Sequence, residues 1–169
     1  VDERDEIKYT AEELSEIEET ILQEKCRGSS PRYWEEVSVG DQVGTITKGP
    51  LSIMDIVAWC AGTMGSPDTR AGYSAGGLED QTATGPQLAA WAMHLLTNWM
   101  GDEGFLHELT LTFSGLPFLG STTTISGSVT SVFVSESKYF CEIAITGLLQ
   151  NGELVTSGNA LIEVPSSKR

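Results

Sequence analysis

The chain holds two histidines, His94 and His107, in 169 residues. Imidazole is the side chain best suited to moving a proton near neutral pH. Ahead of His94 lies a Gly-rich segment, residues 62–85, which carries Asp68, Glu79 and Asp80. A carboxylate and an imidazole brought together form a general acid–base pair. His94, Asp68 and Asp80 are therefore the candidate catalytic residues. Each also has a plainer reading. A histidine on a buried helix is more often a hydrogen-bonded structural residue, and loop carboxylates are mostly solvated. Thr84, Gly85, Gln87, Trp91 and Asn98 surround the same helix and are the candidate substrate-binding residues, with Tyr73 of the Gly-rich segment as a cover. Trp91 and Trp99 share a helix face and also read as core. His107 reads as a strand-edge residue.

Other chemistries find no support. Cys26, Cys60 and Cys141 are odd in number and widely spaced, so neither a disulfide framework nor a zinc site is indicated. No metal or cofactor is expected, and no phosphate loop, nucleophile elbow or HExxH is present. The formal net charge is −14, which argues against nucleic acid and anionic membranes as partners. Ten acids against three bases fall in the first 25 residues, so the acidity is partly that of one surface helix. No apolar stretch approaches the roughly 20 residues of a membrane span. The acidic start, Val1–Glu6, does not read as a signal peptide, and a cytoplasmic protein is expected.

The elements that position these residues follow from pattern. Thr10 and Glu13 form a capping box, and Leu14, Ile17, Ile21 and Leu22 give a helical stripe that Gly28 should end. This acidic helix, within residues 1–30, is expected to pack on or beside a main domain spanning 31–169. An extended segment runs from Pro31 through Ile46. Ser52 caps a short helix from Ile53 to Ala61, with Asp55 a surface or cap residue. Pro86 suits the first turn of a second helix, whose residues 87–100 are apolar on most faces. Its polar residues, Gln87, His94, Thr97 and Asn98, keep to one narrow stripe. A helix this apolar should be buried. Four strand-like runs follow, the last two joined by Asn151–Gly152, a hairpin signal. The fold class is α+β: a long central helix wrapped by a curved antiparallel sheet.

Three segments resemble MaoC-like dehydratases, in particular the subgroup with a dehydratase-like N-terminal region. They are Pro31-Arg32-Tyr33-Trp34-Glu35-Glu36-Val37-x-Val39-Gly40-Asp41, Lys48-Gly49-Pro50-Leu51-Ser52-Ile53-Met54-Asp55-Ile56-Val57-Ala58-Trp59, and Gly85-Pro86-Gln87 through His94 to Leu106. Gly120-Ser121-Thr122-Thr123 with Gly127-x-Val129 extends the likeness over roughly residues 20–165. The resemblance implies a single hotdog fold that dimerises by joining sheet edges. It also implies a pantetheine-linked acyl substrate (CoA or carrier protein) near the start of the long helix. Free N–H groups and the positive end of the helix dipole there can hold a thioester carbonyl as charge develops. Gly85 would let that carbonyl approach closely. A local basic patch from Arg27, Arg32, Lys48 and Arg70 would meet the anionic carrier.

Active hydratases of this fold resemble one another in a loop with an Asp and, about five residues later, a His. Segment 62–85 has no histidine, so the usual dyad is missing. Three readings follow: a hydratase or dehydratase with a displaced catalytic set, a non-catalytic hotdog subunit completing a partner's site, or a repurposed hotdog tailoring enzyme or cyclase that binds a hydrophobic small molecule.

Overall fold

The computed structural model describes residues 7–63 and 81–168. Asp68, Arg70, Tyr73, Glu79 and Asp80 lie outside the described residues. Helix α1 spans Ala11–Leu22, opened by the reciprocal Thr10–Glu13 capping box. It ends at Leu22, with Gln23 as its C-cap, six residues before Gly28. The chain must turn there to dock: Arg27 N–H donates to Asn98 O (3.1 Å) and Gly28 O accepts from Asp102 N–H (2.8 Å). Gly28, at φ +57, serves this crossing rather than a helix end. No residue of α1 is buried. The helix leans on the rest through Glu24 and through Tyr9, whose hydroxyl meets Thr122 Oγ1 at 2.9 Å.

The stretch from Pro31 is not extended throughout. Trp34–Glu36 form one 3-10 turn, which seats Trp34 beside Tyr139 at 5.4 Å between ring centroids. Strand β1 is Gln42–Lys48. Helix α2, Ile53–Gly62, starts at a second capping box, Ser52 with Asp55. Helix α3, Gly85–Met100, is followed by β2 (Phe105–Phe113), β3 (Thr123–Ser135), β4 (Lys138–Leu149) and β5 (Leu154–Glu163).

The strands make one antiparallel sheet in the order β1-β3-β4-β5-β2. The hairpin β3–β4 turns through Glu136 and Ser137 at φ +50 and +63, the double left-handed geometry that matches the strand twist. The β4–β5 hairpin turns at Gly152, φ +83. Register shifts at Gln42/Gly44, Leu106/Glu108, Val129/Ser131 and Gly147/Leu148 bend the strands, as bulges do, and curl the sheet toward α3. Inward residues recur with period two: Ile125 and Val129, Ile143 and Ile145, Ala160 and Ile162. They meet Ala92, Leu95, Leu96, Trp99 and Met100 of α3 in one core.

The sheet does not close around α3. Met93 (41 % exposed) and Thr97 remain on an open side, so the helix is buried on the sheet face and not all round. Among the described residues, β1 and β2 are the two free edges of the sheet. Among the described residues no helix is long and apolar enough to cross a membrane.

Candidate functional site

The start of α3 is pinned from both sides. Ala83 N–H donates to Pro117 O (2.9 Å), Leu119 N–H to Gln81 O (3.1 Å), and Thr82 bridges Phe118. Leu51, Ile56, Cys60 and Ala83 form a small core of their own, with Trp59 and Trp91 packed against it. Residues 81–87 are therefore held between α2, the 114–122 connection and α3.

Buried polar atoms cluster on these same elements. Trp59 Nε1, Gln81 Oε1 and Gln87 Oε1 are buried and have no hydrogen-bond partner among the described residues. A buried donor or acceptor left unpaired costs about 1–3 kcal/mol, so three of them around one helix start mark a place where a ligand or another segment supplies partners. Gln87, although on the polar stripe, is only 4 % exposed.

The donors at this helix start are fewer than its position suggests. Thr84 Oγ1 caps α3 by accepting from Gln87 N–H at 3.4 Å, and Pro86 has no N–H. Leu88 N–H already donates to Thr84 O. Gly85 N–H is left as the first-turn donor with no partner among the described residues. The side of Gly85 that lacks a Cβ is not open: the Phe113 ring lies 3.2 Å from where a Cβ would be. A ligand can reach the Gly85 N–H only from another side or by moving Phe113.

His94 lies elsewhere. Seven residues past Gln87 on a helix rising 1.5 Å each, it is about 10 Å further along the axis. Proton transfer needs reach of about 3 Å, or one bridging water, so His94 does not share a reaction centre with Gly85. Its Nε2 is 3.7 Å from Glu24 Oε2. Glu24 in turn holds Lys48 Nζ at 3.5 Å and accepts from Thr47 N–H at 3.2 Å. Burial, then Lys48, push the His94 pKa below its ordinary value; Glu24 opposes this without reversing it. Asn98 is half-buried further along, its backbone carbonyl taken by Arg27 N–H. Trp91 is half-buried among the core clusters.

The second histidine is spoken for as well. His107 Nε2 meets Glu163 Oε2 at 2.7 Å, and Lys138 Nζ meets the same oxygen at 2.9 Å. These contacts hold the Glu163 carboxyl below the usual carboxylate range, Lys138 contributing most. Among the described residues no group of three His, Cys, Asp or Glu could hold a metal. Cys26 is exposed, and Cys60 and Cys141 are buried thiols; burial pushes Cys141 up to about 11.

Four features escape the sequence. Glu24 is one of ten acids in the first 25 residues, and nothing local marks it as the partner of His94 and Lys48. Phe113 over Gly85, and Trp59 and Gln81 beside it, depend on elements distant in the chain. Lys48, expected in a basic patch, is neutralised by Glu24, whereas Arg27 and Arg32 converge on one cleft.

No protein-family model matches the chain, and no curated protein sequence does. Solved structures do. R-hydratase PhaJ1 from Pseudomonas aeruginosa superposes with a TM-score of 0.67 at 21% identity over 80% of this chain and 86% of that one. The MaoC-like dehydratase from Rhodospirillum rubrum gives 0.66 at 18% identity over 82% and 99%. The ChsH1–ChsH2 complex from Mycobacterium tuberculosis gives 0.63 at 18% identity over 76% and 98%. The chain thus has the α+β hotdog fold that R-hydratases and MaoC-like dehydratases share.

Proposed function

We propose that this chain is a hotdog subunit of the acyl-thioester hydratase/dehydratase type that binds its acyl ligand at the start of α3 and has no imidazole of its own there to complete an acid–base pair. The ligand carbonyl would rest on Gly85 N–H, with Gln87 and Trp59 as polar partners and Trp91 as apolar wall. The observation that carries this is the commitment of both histidines elsewhere: His94 to Glu24, about 14 Å along the axis from the helix start, and His107 to Glu163. A second hotdog chain, joined along the free β2 edge, would supply the missing imidazole. The exposed Phe105 and Phe113 on β2 favour such pairing, since an exposed apolar edge strand invites another strand. The ChsH1–ChsH2 complex, of the same fold, is by its name an assembly of two chains. Asp68 and Asp80, on the segment that leads into Gln81, are the carboxylates this chain would contribute.

The test is hydration of a crotonyl thioester by the purified chain alone and with a co-expressed MaoC-like partner. The expected result is acyl-thioester binding but no turnover alone, and turnover in the mixed assembly that Asp68→Asn or Asp80→Asn diminishes. Turnover by the chain alone that His94→Ala abolishes would overturn the proposal.

A further inference from the structure

A second concave site lies at the other end of α3. Residues 20–32 cross over the C-terminal half of the helix and leave a cleft of about 690 Å³ against β1. That volume suits a small organic ligand. Its lining combines apolar residues, Ile46, Leu95 and Trp99 among them, with polar ones and with the bases Lys25, Arg27 and Arg32. Leu95 and Trp99 lie ten and fourteen residues beyond Gly85, about 15–20 Å along the helix axis. The cleft is therefore separate from the start of α3.

Its charge runs against that of the molecule. The chain has 24 acids and 10 bases, yet three bases face this cleft and Glu24 is the one acid lining it. Glu24 is already engaged by Lys48 and the Thr47 N–H. Among the described residues no carboxylate lies within ion-pair distance of either guanidinium. Arg27 Nη1 donates to Pro31 O at 3.0 Å. Arg32 Nε donates to Trp99 O at 2.9 Å, and the guanidinium stacks over the Trp99 ring at 4.5 Å. These contacts fix both side chains and leave the remaining guanidinium N–H groups without protein acceptors among the described residues. Burial and the nearness of Arg27 hold the Arg32 pKa below its ordinary value, although Glu36 and Asp41 act in the other direction. Two fixed, mutually repelling guanidiniums beside the apolar side chains of Ile46, Leu95 and Trp99 are stabilised by an anion that brings its own apolar surface.

We propose that this cleft is a binding site for an organic carboxylate with an aliphatic body, its carboxylate on Arg27 and Arg32 and its chain against Leu95, Ile46 and Trp99. The pairing is charge-assisted and geometrically matched to a guanidinium fork. It differs from acyl-thioester binding in both place and chemistry, because it recognises a free carboxylate.

Isothermal titration of the full chain with sodium octanoate, and separately with 1-octanol, tests this. Saturable one-site octanoate binding is expected, with octanol at least tenfold weaker. Arg27→Gln should weaken octanoate at least tenfold, and Lys25→Gln severalfold. Lys25 is exposed, so its replacement reports charge without endangering the fold, even if loss of the Arg27–Pro31 bond loosens the crossing segment. Raising NaCl to roughly 0.5 M should weaken octanoate and leave octanol unchanged, as screening requires. The proposal fails if octanoate shows no saturable binding, if octanol binds as tightly, or if both variants bind octanoate like the native chain.

Discussion

His94 illustrates how a residue chosen for its chemistry acquires a different role from its neighbours. Its imidazole is within 4 Å of a carboxylate, which by itself favours the charged form. Burial and Lys48 outweigh that and lower the pKa. The linkage sign follows. The unfolded chain binds a proton near pH 6.5, while the folded chain does so only at lower pH. His94 therefore costs stability as pH falls from 6.5 toward its folded pKa, and costs nothing above 6.5. NMR titration of the two imidazoles should find His94 below 6.5, moved up by Lys48→Gln and further down by Glu24→Gln. A midpoint above 6.5 would contradict this balance. Glu35 gives the opposite acid-side case. Ser166 first, then Ser167, hold its carboxyl at about 2, clamping the C-terminal residues. That clamp is fully present above the ordinary carboxylate pKa and is lost as pH falls toward 2. The protection factor of the Ser167 amide, measured against its intrinsic exchange rate, should fall between pH 4.5 and 2, and Glu35→Gln should produce the same fall at neutral pH.

At the scale of elements, α3 and the strand pair β2–β5 carry the architecture. Leu96 is fully buried between α3 and the sheet, and Leu96→Ala should cost about 3 kcal/mol, loss of transfer energy plus a cavity. Chemical denaturation measures it, and a cost below about 1 kcal/mol would mean the core collapses to fill the space. Gly158 is a sharper constraint. A Cβ there would sit 1.9 Å from Thr110 O and 2.9 Å from Leu111 Cα, both backbone atoms of β2. Gly158→Ala must push β2 off β5. Exchange protection should fall selectively at β2 amides, with β3–β4 amides unaffected; unchanged protection along β2 would show that the strands have room to spare. The helix elements were legible from caps: Thr10–Glu13 and Ser52–Asp55 both form the reciprocal bonds their spacing requires. The end of α1 was not legible. Gly28 looks like a terminator, but the bonds Arg27 and Gly28 make to Asn98 and Asp102 set where the chain leaves the helix, and those partners lie some seventy residues away.

At the scale of the molecule, the sheet's open edge decides what assembly the proposed function requires. β2 ends in Phe105, 61 % exposed, and Phe113, 46 % exposed, on a strand with one free side. Phe105→Asp should leave the fold intact and convert a hotdog dimer to monomer in sedimentation analysis. A dimer that survives the substitution would move the interface away from β2.

The amino-acid sequence by itself determined the fold class and most of the elements. Apolar spacing of 3.6 and of 2, capping boxes and hairpin residues are local signals, and local signals are written in consecutive residues. It also determined that segment 62–85 holds no histidine, on which the proposed lack of an imidazole at the start of α3 rests. Only the tertiary structure decided that Phe113 stands over Gly85, that Glu24 takes His94 and Lys48, and that Arg27 and Arg32 line one cleft with Arg32 stacked on Trp99. Each of those contacts joins different elements or connecting segments, brought together only when the chain packs. The site's electrostatics therefore follow from packing geometry rather than from residue type or order.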